Sequence, residues 1–146
     1  MIKIEKLTPA QIAENWDVLR EGFFSAMPSN TVGYESVRQT AMLDLAAQDF
    51  AQVWVALDQG KPIAYAYTIF HVDPVVRSKN LLVYAFFTLT RTKVNIWKDG
   101  VDTLLKFAKA NGCLSVMAFT EEQSVVNMVR SVGGNVETRL IYKRVL

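Results

Sequence analysis

The chain opens on IKIEKLT, where apolar and charged residues alternate as they do on a half-buried edge strand. TPAQ follows, with Thr8 as N-cap, Pro9 at the first helical position and Gln11 placed to complete a capping box. The helix that starts there is expected to carry Ile12, Trp16, Leu19 and Phe23 on one stripe and to end before Pro28. SNTVG reads as a loop, and Val37, Ala41 and Leu45 mark a second helix between Tyr34 and Phe50. VWVALDQGKPIAYAYTIF is a hairpin signal, two β-rich runs around DQGK, with Gly60 supplying the turn and Pro62 at the start of the second strand.

After a looser loop, HVDPVVRSKN, the run LLVYAFFTL is apolar without alternation, which predicts a central strand covered on both faces. From Val94 to Ala110 a helical period puts Val94, Trp97, Val101, Leu104, Leu105 and Ala108 on one stripe expected to face the core, with Gly112 as its stop. LSVMAF is a further strand, TEEQ repeats the capping-box pattern, and a helix with Val125, Val126, Met128, Val129 and Val132 ends at GG. NVETRLIYKRVL is the last predicted strand. Strand–helix–strand between Leu81 and Phe119 implies a parallel crossover inside a mostly antiparallel sheet, so the fold class is mixed α/β.

Composition narrows the function classes. A chain of 146 residues with 51% hydrophobic positions can bury one core, and no linker or repeat divides it, so residues 1–146 read as a single domain. A net charge of +2 with scattered basic residues gives no basis for a nucleic-acid or membrane partner. The single Cys113 permits no internal disulfide, and MIKIEKL lacks the apolar core of a signal peptide, which together suggest a cytoplasmic protein. His71 stands alone as the only histidine, so no metal site is expected; a surface role fits it better than a catalytic one. Cys113 has no neighbouring base and reads as a structural thiol. Tyr65, Tyr67 and Tyr84 fall on strands, where packing is the usual role and lining a groove the alternative.

The element order resembles the GNAT acetyltransferase fold, through three stretches: VWVALDQGKPIAYAYT, YAFFTLTRTKVNIWKDGVDTLLKFAKANGCLSVMAFT and TEEQSVVNMVRSVGG. The resemblance implies acetyl-CoA as cofactor, a small amine as acceptor and a V-shaped opening beside the central strand. It also implies a pyrophosphate loop of the type R/Q-x-x-G-x-G/A, whose backbone N–H groups meet the phosphates at a helix N-terminus. Here that loop falls on Leu89, Thr90, Arg91, Thr92, Lys93, Val94 and Asn95, and its glycine positions become Asn95 and Trp97, or Val94 and Ile96 one residue earlier. Arg91 and Lys93 could still attract an anion. The tyrosine that protonates the leaving thiolate in many members falls on Val129, and the helix asparagine on Glu122; Glu121 and Glu122 are the remaining acid–base candidates.

The resemblance therefore carries two readings. One is a catalytically degenerate member, a pseudoenzyme that binds protein partners, similar to small GNAT-like proteins encoded by phages. The other is a working acetyl-CoA-dependent N-acetyltransferase with an atypical loop. They are separated by whether Phe87 or Phe119 plugs the opening between residues 88–90 and 118–120.

Overall fold

The structure is a computed structural model that describes residues 2–26, 35–90, 94–120 and 123–136. The predicted last strand beyond Val136, the basic turn Arg91–Lys93, and Glu121 and Glu122 lie outside the described residues. Among the described residues five strands form one sheet in the order of the chain: β1 (Ile2–Lys6), β2 (Ala51–Asp58), β3 (Lys61–Val72), β4 (Lys79–Thr88) and β5 (Val116–Ala118). The first four pair antiparallel and β5 joins β4 in parallel, giving the mixed, mostly antiparallel α/β architecture expected from the sequence. Helices α1 (Pro9–Glu14), α2 (Trp16–Ala26) and α3 (Glu35–Ala47) cover one face, and α4 (Val94–Ala110) covers the other. The last described helix is α5 (Gln123–Ser131).

The first helix differs from its prediction. Thr8 and Gln11 make the reciprocal capping box, with Gln11 N–H donating to Thr8 Oγ1 at 3.2 Å and Thr8 N–H to Gln11 Oε1 at 2.8 Å. The helix then breaks at Asn15, which leaves helical geometry (φ −106°, ψ 10°). Its side-chain amide and its backbone N–H both donate to Gln11 O, the local competition through which asparagine ends helices. Asn15 O accepts from Leu19 N–H, so α2 restarts at once and the stripe survives the break: Ile12, Trp16, Leu19 and Phe23 are all buried.

The hairpin follows its sequence signal. Gln59 and Gly60 both take positive φ (51° and 80°), the two-residue turn whose twist matches that of the strands. The loop after β3 is tighter than expected. Asp73 Oδ1 accepts from the N–H groups of Val75 (2.8 Å) and Val76 (3.1 Å), which also holds its carboxyl below the ordinary carboxylate value. His71 lies on β3 opposite Asn80, exposed.

The core has a different character on each face. Under α1–α3, Phe23 is fully buried and meets Tyr67 and Phe87 edge-on, at ring-centre distances of 5.9 and 5.1 Å. Under α4, Trp54 meets Phe107 edge-on at 5.0 Å. A buried polar chain crosses β2 and β3 there: Trp54 Nε1 donates to Thr68 Oγ1 (2.9 Å), Thr68 to Gln52 Oε1 (2.7 Å) and Gln52 Nε2 to Asp49 O (3.2 Å). Each donor in this Trp54–Thr68–Gln52 network thus has an acceptor, as burial requires, whereas the buried Trp16 Nε1 has no hydrogen-bond partner among the described residues.

Tyr67 is 1% exposed, and its hydroxyl donates to Met42 O at 2.8 Å. Burial, with Tyr84 nearby, raises its pKa above the ordinary 10.0. Below that value both native and unfolded chains keep the proton. Above it the unfolded chain loses the proton first, so each further pH unit should cost about 1.4 kcal/mol until the native group also titrates. Urea unfolding at about pH 9 and about pH 11 tests this: the wild type should lose more stability over that interval than Tyr67→Phe, and equal losses would contradict the assignment.

Candidate functional site

The parallel ladder between β4 and β5 is short. It runs through Leu81–Val116, Leu82–Met117 and Val83–Ala118 and then stops, while β4 continues to Thr88. The next residue along β4, Tyr84, is a bulge: on β3, Tyr67 pairs with Ala85 and Thr68 with Val83, which leaves Tyr84 without an opposite residue. A bulge bends its strand and raises the local twist. The bulge coincides with the end of the β4–β5 ladder, so β4 leaves its parallel neighbour there and a wedge opens.

Beyond the bulge the backbone of β4 has a free edge on the wedge side. Leu89 N–H donates to Ile63 O at 2.8 Å, which places the backbone groups of Leu89 on the β3 side. Alternation along the strand then puts those of Phe87 and Ala85 on the β3 side too, and those of Phe86 and Thr88 towards the wedge.

The side chains named in the sequence as plugs do not fill this wedge. Phe87 turns to the α2 face, where it stacks on Tyr65 (5.4 Å, 30° between planes) and meets Phe23. Gly22 makes this possible: a Cβ at that position would sit 2.3 Å from Phe87 Cζ, so only glycine lets α2 approach β4 this closely over the ring. Phe119 lines the cleft on that side as a wall residue, with 47% of its surface exposed.

On the other face a cleft of about 1370 Å³ runs between α4, the β4–β5 edge and α5, lined by Val83, Phe86, Trp97, Val101, Leu105, Ala118 and Val129 among others. Trp97 packs edge-on against Phe86 at 5.0 Å. The predicted α4 stripe holds in part. Leu104 and Ala108 bury against the sheet, and Trp97 on the same stripe is half-buried against Phe86 of β4, whereas Leu105 turns outward and is 48% exposed; Ile96, off the predicted stripe, is buried as well, and Ile96, Trp97, Val101, Leu104 and Leu105 all line the cleft.

α4 ends in a Schellman arrangement, with Cys113 N–H donating to Ala108 O (2.9 Å) and Gly112 N–H to Lys109 O (3.2 Å) at a glycine φ of 73°. Cys113 is half-buried against the α4 core, and burial raises its thiol pKa, partly opposed by Lys79. It is followed by Leu114 and Ser115 before β5, so that strand begins later than predicted. No group of three His, Cys, Asp or Glu able to hold a metal ion occurs among the described residues.

Of the predicted anchor residues, Leu89 and Thr90 are exposed where β4 runs out, and Val94 and Asn95 open α4. The first turn of α4 carries no acidic residue, so nothing there opposes an anion at the positive end of the helix dipole. Val129 lines the cleft. Among the described residues no helix is long and apolar enough to cross a membrane.

A central strand bulged at the point where it parts from a parallel neighbour, with an open wedge and a helix N-terminus at its end, defines the acyl-CoA N-acyltransferase class of folds. Comparison with solved structures identifies the fold as that of the GNAT acetyltransferases. The chain is similar to a predicted acetyltransferase of Clostridium acetobutylicum solved with acetyl-CoA (TM-score 0.71, 13% identity, 99% of this chain and 96% of that one). It is also similar to aminoglycoside acetyltransferase AAC(6')-Iy in complex with a bisubstrate analogue (TM-score 0.71, 17% identity, 100% and 99% covered). A third is an aminoglycoside acetyltransferase from an uncultured soil metagenomic sample, in complex with sisomicin (TM-score 0.72, 15% identity, 99% and 95% covered). No protein-family model and no curated protein matches the sequence.

Proposed function

We propose that this chain is an acyl-CoA-dependent N-acyltransferase that holds the cofactor's amide-bearing arm in the wedge beyond Val83 and Ala118. The observation that carries this reading is the unplugged opening, with Phe87 turned under α2 and the backbone groups of Phe86 and Thr88 facing the gap. An extended ligand with amide groups would complete that edge as an added strand does. The cofactor supplies an activated acyl group, and the protein's part is to hold it beside an amine.

Positioning of this kind can supply much of a rate enhancement. That matters here, because Val129 has no proton to give at the position where the family resemblance implies a tyrosine in many members. Leu89, Thr90, Arg91, Thr92, Lys93, Val94 and Asn95 are the proposed pyrophosphate anchor. With side chains where glycines would stand, it would rely on charge and the α4 dipole more than on close backbone approach.

Val129 also favours a second reading, in which the cofactor binds and the chemistry has decayed. Thermal unfolding with and without acetyl-CoA comes first. At about a hundred times its dissociation constant the ligand should stabilise by about 2.7 kcal/mol and raise the midpoint by roughly 5–10 °C. No shift at millimolar acetyl-CoA would overturn both readings; a shift without thiol release in the presence of any amine would favour the second.

A further inference from the structure

A second cavity, of about 240 Å³, lies on the opposite face of the sheet from the cleft, between α3 and the middle of β3 and β4. Its walls are Arg38, Ala41 and Leu45 on α3, Tyr67 and Ile69 on β3, and Tyr84 on β4. Consecutive residues of one strand join the two cavities: Val83 lines the cleft on one face, and the bulged Tyr84 lines this pocket on the other. A group seated in the pocket therefore lies across the sheet from the place where the wedge opens.

The lining states what that group is. Its polar atoms are few: the Tyr67 hydroxyl is committed to Met42 O, and the Arg38 guanidinium lies 5.9 Å from the centre of the Tyr84 ring. No carboxylate lines the pocket among the described residues. A polycation such as an aminoglycoside needs acidic partners for several ammonium groups, because an unpaired charge against an apolar wall is costly. The space equals roughly eight water volumes at about 30 Å³ each, which suits a phenyl ring or branched alkyl group on a short arm.

Resting on the transferase reading above, we infer that the pocket selects the acceptor: a primary amine whose body is one compact apolar group, with aminoglycosides excluded. In the reaction the amine nitrogen bonds to the acyl carbonyl carbon and the carbon–sulfur bond breaks. Sulfur keeps the electron pair, and the nitrogen's proton is released to give amide and free thiol.

The test has one arm that needs no turnover. With 15N-labelled protein, 2-phenylethylamine should move the backbone amide resonances of Ala41, Leu45 and Tyr84, and sisomicin should leave them in place. Ala41→Phe, at an exposed position on the rim, should weaken that binding at least about tenfold while leaving the melting midpoint and acetyl-CoA stabilisation unchanged. In the activity arm, thiol release with 2-phenylethylamine should exceed that with sisomicin by at least about tenfold in kcat/KM. Sisomicin moving the same resonances or reacting faster, or amine binding indifferent to Ala41→Phe, would overturn the assignment. Amine shifts without acetyl-CoA stabilisation would fail the transferase reading and uphold the pocket; stabilisation without the shifts would do the reverse.

Discussion

Ala118→Trp is expected to abolish stabilisation by acetyl-CoA while leaving the unliganded midpoint within about 2 °C of the wild type. Ala118 is the last residue of β5 paired to β4, sits opposite Val83, and lines the cleft at the point where the wedge begins. It lies two positions after Val116, which packs on the α4 side, so strand alternation directs its side chain to the same face. An indole there would occupy the path proposed for the cofactor's arm. The position is exposed, so the larger ring enters the cleft without overfilling the core. The wild-type shift of roughly 5–10 °C should vanish, which corresponds to binding weaker by about a hundredfold or more. A variant that melts like the wild type and still responds fully to acetyl-CoA would show that the arm does not pass between β4 and β5.

The second large effect concerns what keeps that wedge open. Phe23→Ala should cost about 3–5 kcal/mol, a large share of the roughly 5–15 kcal/mol that holds a domain folded. Phe23 is fully buried, and its ring meets Tyr67 and Phe87, so truncation leaves a cavity bounded by aromatic faces that cannot collapse without moving the sheet. With a urea slope near 2 kcal/mol per molar, the midpoint should fall by roughly 2 M. Phe87 also loses its edge-on partner on the α2 side, so residual acetyl-CoA stabilisation should weaken as that ring gains freedom to swing. A loss below about 1.5 kcal/mol would mean that the three rings are not one packing unit.

Much of the fold was legible because its elements are locally specified. The capping box at Thr8, the hairpin around Gly60 and the helix stop at Gly112 each depend on a few neighbouring residues, and each occurs where the sequence puts it. Cover on both faces at the start of LLVYAFFTL was equally readable: the consecutive Leu81 and Leu82, on opposite faces, are both buried, while the end of the run at Thr88 and Leu89 is exposed. Asn15 was readable in principle, as a short polar side chain inside an apolar period. The stripe that spans the break is regular enough to hide it.

Much of the candidate site was not legible. Phe86 and Phe87 are adjacent and chemically identical, yet one lines the cleft and the other lies under α2 beside Gly22. Which is which depends on strand phase, and a one-residue bulge at Tyr84 resets that phase; no local pattern in LLVYAFFTL marks it. Trp97 was likewise expected in the core and is only half-buried against Phe86 in the cleft wall, because how far the sheet covers the stripe it shares with Leu104 and Ala108 depends on how α4 lies across β4. The pocket beside Tyr84 is assembled from residues some forty positions apart on α3, β3 and β4.

The sequence by itself therefore determined the kinds and order of the described elements, the caps and turns at Thr8, Gly60 and Gly112, and which residues stand at the positions where the family resemblance implies phosphate and proton-transfer groups. Those properties reside in short-range hydrogen bonding and periodicity. The tertiary structure alone decided which apolar side chains are core and which are walls, and that the wedge is open, because both follow from the relative phase of elements distant in the chain.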